Sequence, residues 1–216
     1  MGKITGTQAS KRNFELCQMA PVIPVLVVDD LEAAHGLGTA LVRGGLPVLE
    51  VTLRTKYALD VIAIMAKIKG GIVGAGTLIT PQDVEDAVAA GATFGVSPGA
   101  TDALIDACEA HGLPLLAGAT SATEAMALME RGYTVQKFFP AQAAGGAPFL
   151  KSLASPLPQI TFCPTGGVSL ANAPDYLASS NVICVGGSWV APSSAVKAQD
   201  WDVIEALASD AVKALG

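Results

Sequence analysis

The chain has 216 residues, is 51% hydrophobic and 15% charged, and carries a formal charge of −6, which supports a single domain over 1–216 with a sizeable core and excludes a disordered chain. The acidic balance and the lack of any Lys/Arg run exclude an ordinary nucleic-acid partner. No uninterrupted apolar stretch reaches the length of about 20 residues that crosses a membrane, and residues 1–20 hold Lys11, Arg12 and Glu15 where an export signal needs apolar residues, so the expected setting is cytoplasmic with no membrane partner.

Short apolar runs alternate with amphipathic ones along the chain. A short helix over 11–19, within the N-terminal extension 1–20, is placed to cover the floor of the domain. Residues 22–28 read as a strand and 31–43 as a helix stopping at Gly44-Gly45. A strand over 46–53 leads to a helix over 57–69 closed by Gly70-Gly71. A third strand over 72–75 precedes a helix over 81–90, with Pro81 in its first turn and Gly91 past its end. The pattern repeats as strand 93–96, helix 102–110, strand 113–116 and helix 123–131. It finishes as strand 134–139, helix 148–154, strand 160–163, helix 170–178, strand 182–185 and helix 203–215.

These are eight strand–helix units whose strands are near-continuously apolar, as strands covered on both faces are. A doubly wound open sheet and a closed (β/α)8 barrel both fit the alternation. The count of eight favours an α/β, single-domain (β/α)8 TIM barrel with a short N-terminal helical extension.

In such a barrel the chemistry lies at the C-terminal ends of the strands, so ionisable residues inside strands are informative. In Leu49-Glu50-Val51-Thr52-Leu53-Arg54, the residues Glu50, Thr52 and Arg54 share one parity. With the leucines and valine facing the helices, Glu50 points into the barrel and Arg54 stands at its mouth. A structural Glu–Arg pair explains this as readily. In Val135-Gln136-Lys137-Phe138-Phe139, an inward Lys137 is flanked by Val135 and Phe139. Apolar surroundings favour a neutral amine, the form that attacks a ketone. A lone strand-end lysine is usually a snorkelling one. A lysine and a carboxylate in one barrel are instead the minimal equipment for imine chemistry.

The last two strand ends carry Thr165-Gly166-Gly167 and Gly186-Gly187-Ser188. Loops at those positions commonly bind phosphate in this fold, glycine letting main-chain N–H groups come close. Ordinary tight turns also explain paired glycines, as at Gly44-Gly45. Thr77 ends the third strand with a hydroxyl, Pro98 ends the fourth, and His35 and His111 read as helix-surface residues. Cys17, Cys108, Cys163 and Cys184 form no CxxC pair, and two histidines add little, so buried reduced thiols are expected rather than a metal site or disulfides.

Together, Leu49-Glu50-Val51-Thr52-Leu53-Arg54-Thr55, Val73-Gly74-Ala75-Gly76-Thr77, Val96-Ser97-Pro98-Gly99, Lys137-Phe138-Phe139-Pro140-Ala141, Phe162-Cys163-Pro164-Thr165-Gly166-Gly167 and Val185-Gly186-Gly187-Ser188-Trp189 resemble the 2-keto-3-deoxy-6-phosphogluconate (KDPG) aldolase family. The resemblance implies a class I aldolase of the Entner–Doudoroff route, often also acting on 4-hydroxy-2-oxoglutarate (KHG), and a homotrimer. It implies Lys137 as the Schiff-base lysine and Glu50 as general acid/base. Arg54 and Thr77 would hold the pyruvate-derived carboxylate, with Pro98, Phe139 and Thr165 lining the pocket. Gly166, Gly167, Gly186, Gly187 and Ser188 would cradle the phosphate of a phosphorylated 2-keto acid. No cofactor and no metal are implied, because the iminium does the polarising a Lewis acid would otherwise do. The chain departs from the family pattern at Gln142, usually Glu, and at Ala117, usually Pro. A phosphosugar isomerase or lyase without a covalent step, an aldolase for the galactonate-derived epimer, and a non-catalytic phosphometabolite-binding barrel are the alternatives.

Overall fold

The computed structural model describes residues 2–216. After helix α1 (Gly6–Cys17) come β1 (Val22–Leu26), α2 (Leu31–Arg43), β2 (Val48–Thr52), α3 (Ala58–Met65), β3 (Ile72–Gly76), α4 (Pro81–Ala89), β4 (Gly95–Val96) and α5 (Asp102–His111). Then follow β5 (Leu115–Leu116), β6 (Gly118–Ala119), α6 (Ala122–Glu130), β7 (Val135–Phe138), α7 (Gly146–Leu153), β8 (Thr161–Pro164), α8 (Ala173–Leu177), β9 (Val185–Gly187), α9 (Ser193–Lys197) and α10 (Trp201–Leu215).

All pairings are parallel. One sheet runs β5-β4-β3-β2-β1-β9 and the other β6-β7-β8. They join into one ring of eight staves: β5 and β6 are a single stave interrupted at Ala117, and the bridges Phe162↔Val182 and Thr165↔Gly186 link β8 to β9. This is the (β/α)8 barrel. The expected fifth strand over 113–116 is observed at Leu115–Leu116, where it pairs with β4, and beyond Ala117 the stave continues as Gly118–Ala119, which pairs with β7. The expected eighth strand over 182–185 lies later, at Val185–Gly187, where it pairs with β1. Helix α9 has no counterpart in the apolar pattern, being five residues long.

Local chemistry sets the helix starts. Thr5 with Gln8, Thr80 with Asp83, and Ser121 with Glu124 form capping boxes, each satisfying main-chain N–H groups the helix leaves open. Pro81 occupies the first turn of α4, and Gly112 ends α5 in the left-handed region at φ 71°.

Side-chain parity divides the strands as the alternation requires. Leu49, Val51 and Phe138 pack outward with the helices, whereas Val48, Ile23, Phe94, Val96, Leu116 and Val135 pack together inside the barrel. Leu16 and Cys17, at the end of α1, belong to that inner group. Helix α1 therefore plugs the floor, starting earlier than the 11–19 reading because Thr5 supplies its cap. Ser10 ties the plug to the wall, donating to Gly132 O at 3.0 Å and accepting from Thr134 N at 2.8 Å.

On β3 the inward positions after Ile72 are Gly74 and Gly76. A Cβ at Gly74 would stand 2.5 Å from the Phe94 ring, and one at Gly76 would collide with the Glu50 carboxyl. The two missing side chains make the space that Phe94 and Glu50 fill.

Candidate active site

Glu50 sits inside the barrel on β2, beside Gly74 in the strand register. It is 2% exposed. Lys137 stands on β7, paired in register with Gly118 and Cys163, and is 3% exposed. Lys137 Nζ lies 3.6 Å from Glu50 Oε1, an ionic contact longer than a hydrogen bond, and Oε1 has no hydrogen-bond partner. Burial pushes the Glu50 pKa up, and the nearby Lys137 charge only partly offsets it. A carboxyl poised above its ordinary range, buried beside an amine at 3.6 Å, can hand protons in both directions. It is also an arrangement that stability alone does not favour, since desolvating two charges offsets their attraction.

Lys137 Nζ lies 5.0 Å from the centroid of the half-buried Phe139 ring, which roofs the amine. The Phe139 carbonyl accepts a 2.6 Å hydrogen bond from the Thr120 hydroxyl. Sequence reasoning passed over Thr120, though a hydroxyl directly after a strand end is the available signal. Arg54, exposed at the mouth, donates from Nε to Thr77 Oγ1 at 3.2 Å. Thr77 has φ 62°, a left-handed conformation that a β-branched residue adopts at a cost of roughly 1–3 kcal/mol. The fold thus fixes this hydroxyl towards Arg54 against local preference. Pro98 lies half-buried beside β6, so close that a Cβ on Gly118 would strike its carbonyl group.

The two glycine pairs meet at one end of the mouth. Thr165, 6% exposed, bridges to Gly186, and a Cβ at Gly186 would collide with its hydroxyl. Gly166 and Gly167 have φ 98° and 77°, so both need glycine. Their loop is fastened from outside: Thr165 O accepts from Ala141 N at 2.8 Å, Gly166 O from Gln142 N at 3.0 Å, and Gly167 O from Asn172 Nδ2 at 3.0 Å. The Trp189 ring packs where a Cβ on Gly187 would stand, and Ser188 is exposed beside it. The mouth therefore has an Arg54–Thr77 side, a glycine-loop side, and the Lys137–Glu50 pair beneath.

Two features were not legible from spacing. Cys17, Cys163 and Cys184, remote in sequence, converge as buried free thiols in the inner core. Hydrogen bonding with Cys163, reinforced by burial, holds the Cys17 and Cys184 pKa values well above the ordinary thiol range. Cys163 also adds to the upward push on Glu50. The second feature is the glycine at 76. Gly76→Ala places a methyl against the Glu50 carboxyl, and a misplacement of that size costs a reaction about a hundredfold in kcat. Steady-state turnover lowered to that extent, with an unchanged circular dichroism spectrum, is the expected result. A cavity of about 720 Å³ lies outside the barrel between α7 and α8 and does not include Lys137 or Glu50.

Comparison with known proteins gives a consistent result. The family model described as KDPG and KHG aldolase matches residues 14–207. A 2-dehydro-3-deoxy-phosphogluconate aldolase of Pseudoalteromonas atlantica is 48% identical over 199 residues, covering 92% of this chain and 93% of its own. The crystal structure of the 2-keto-3-deoxy-6-phosphogluconate aldolase of Zymomonas mobilis with 3-phosphoglycerate superposes with a TM-score of 0.89 at 44% identity, over 93% of this chain and 95% of that one. The KDPG aldolase of Legionella pneumophila, with pyruvate captured at low pH as a covalent carbinolamine intermediate, gives the same TM-score of 0.89 and 44% identity, over 92% of this chain and 97% of that one.

Proposed function

The chain belongs to the KDPG and KHG aldolase family, and from that premise we propose that it cleaves 2-keto-3-deoxy-6-phosphogluconate to pyruvate and glyceraldehyde 3-phosphate, with Lys137 as Schiff-base nucleophile and Glu50 as proton carrier. The observation that carries the residue roles is the buried Lys137–Glu50 contact at 3.6 Å, inside the barrel. The carbinolamine held by the Legionella relative is the intermediate such an amine forms.

The steps follow from these groups. Neutral Lys137 adds to C2 of the keto acid, giving a carbinolamine. Protonated Glu50 gives its proton to the carbinolamine hydroxyl, which leaves as water, and the C2–N bond becomes an iminium. Glu50, now a carboxylate, takes the C4 hydroxyl proton through a water. The C3–C4 bond breaks, its electron pair passes to C3, and the iminium becomes an enamine. The aldehyde departs, C3 is protonated, and water releases pyruvate and free Lys137.

The substrate's ends find distinct partners. Arg54, held by Thr77, suits the C1 carboxylate as a planar guanidinium does. Pro98, Phe139 and Thr165 enclose the chain between. The Gly166-Gly167 loop, its carbonyls tied outward, and Gly186-Gly187-Ser188 present amide groups to the phosphate. KHG is the second substrate of the same site, as the family's description pairs the two. The same reading takes the assembly to be a homotrimer, for which exposed Val27 and Ile79, at 54% and 61%, are apolar groups a subunit contact would cover. It also places the enzyme in the cytoplasm; among the described residues no helix is long and apolar enough to cross a membrane.

The test is a coupled assay that reduces released pyruvate to lactate. Turnover with the gluconate-derived 6-phosphate is the expected result. Turnover with only the galactonate-derived epimer would reassign the substrate, and turnover with neither of these nor with KHG would remove the lyase reading.

A further inference from the structure

The Phe139 ring touches two parts of the mouth at once. Lys137 Nζ lies 5.0 Å from its centroid, and a Cβ on Gly166 would stand 3.2 Å from two carbons of its edge. The ring thus spans the distance from the amine to the glycine loop, and its direction follows from the main chain that carries it. That main chain is gripped at both of its polar groups from the end of β6. Phe139 N donates to Ala119 O at 3.3 Å, and Phe139 O accepts from the Thr120 hydroxyl at 2.6 Å. The first bond continues the ladder between β6 and β7; the second is made by a side chain just past the end of β6. Thr120 is itself anchored. Its N–H donates to Glu124 Oε2 at 2.7 Å, and the Ser121 N–H donates to the same oxygen at 2.8 Å. These bonds, that from Thr120 foremost, hold the Glu124 carboxyl below its ordinary pKa range, so the anchor stays charged. Contacts therefore run from the start of α6 through Thr120 to Phe139, and from there to the amine.

We propose that Thr120 is a positioning residue for the lyase reaction: its hydroxyl fixes the Phe139 carbonyl, and thereby the ring that shields the Lys137 amine. The proposal rests on the reading of Lys137 as the Schiff-base nucleophile. Threonine suits the task because its branched Cβ leaves few χ1 rotamers, so the hydroxyl is aimed before it bonds. Water can satisfy the same carbonyl but does not fix its direction. The glycine loop has fastenings of its own, from Ala141 N, Gln142 N and Asn172 Nδ2. Losing the Thr120 bond therefore moves the ring over the amine more than it moves the loop, and the effect falls on the covalent steps rather than on phosphate binding.

Thr120→Val keeps the branched shape and removes the donor. A misplacement of about 1 Å costs a reaction on the order of a hundredfold, and a ring that loses one of two main-chain ties moves less, so kcat is expected to fall roughly tenfold. KM for the phosphorylated keto acid should stay largely unchanged. The rate at which pyruvate and borohydride trap Lys137 should fall with kcat, because pyruvate carries no phosphate and meets the amine alone. Thr120→Ser restores the donor and should return both rates close to the wild-type values. A merely structural tie would lower the Tm and leave the trapping rate alone. Thr120→Ala takes the place of the valine variant if that one does not fold. Wild-type rates in the donor-less variant, or a serine variant equally slow, overturn the role given to Thr120. So does a rise in KM with an unchanged trapping rate, which would make the hydroxyl a substrate contact. Wild-type protein that forms no trapped pyruvate adduct removes the nucleophile reading, and this role with it, so the two failures are distinguishable.

Discussion

Incubation with pyruvate and borohydride is expected to leave one reduced pyruvate on Lys137, and Lys137→Ala is expected to lower cleavage by roughly 10,000-fold or more, the scale on which removing a covalent nucleophile acts. The expectation follows from the barrel's geometry. Of the lysines among the described residues, Lys137 alone is buried on an inward strand position, with Val135 below it, Phe139 above it and Glu50 at 3.6 Å. Lysines on the outer helices, such as Lys151 on α7, face solvent, where the ammonium is well hydrated. Peptide mapping of the trapped protein checks the site. A pyruvate mass on another lysine, or none, would dismiss the covalent role of Lys137. Lys137→Arg separates charge from nucleophilicity: the guanidinium keeps a positive group near Glu50 but forms no imine, so it should be as inactive as the alanine variant.

Parity carried most of what could be read from the chain alone. A strand's side chains alternate faces, so once Leu49 and Val51 are assigned to the helices, Glu50 has to point inward. Lys137 follows Val135 by the same rule. Both inward placements match the structure, as does the alternation that builds the staves. Interruptions are harder to read. At Ala117 the fifth stave changes partners, from β4 below to β7 above, and nothing in an apolar run marks such a break. Helix α9 is shorter than two turns, too short for a helical period to show.

The site's finer geometry depends on residues brought together across the barrel. The room for the Glu50 carboxyl comes from Gly76, 26 residues further along the chain and on the next strand. The strained Thr77 backbone and its bond to Arg54 arise from the way β2 and β3 end side by side. The thiol group beneath the pair joins a plug helix to the last two staves. Motif order contains none of these distances. A glycine inside a strand is the one local sign of them, because it marks a place where another group approaches closely.

Glu50→Gln is expected to leave the pyruvate adduct able to form while slowing cleavage by about 100- to 10,000-fold, the usual worth of a positioned acid–base group. The amide fills the same space beneath Gly76 but cannot carry protons. Its larger consequence is in the pH profile. Burial raises the Glu50 pKa, so the carboxyl stays protonated to higher pH than an exposed glutamate would. The bond-breaking step needs the carboxylate, which is lost as pH falls through that raised pKa. The acid limb of kcat/KM should therefore lie above the ordinary carboxylate range, and activity should decline on acidification earlier than for a solvent-exposed base. In Glu50→Gln that limb should vanish from the residual activity, whereas a remaining limb at the same pH would belong to another group. Gly76→Ala, by crowding the carboxyl, should alter the limb's position as well as the rate. A wild-type acid limb in that variant would separate the glycine's packing role from the proton-transfer step.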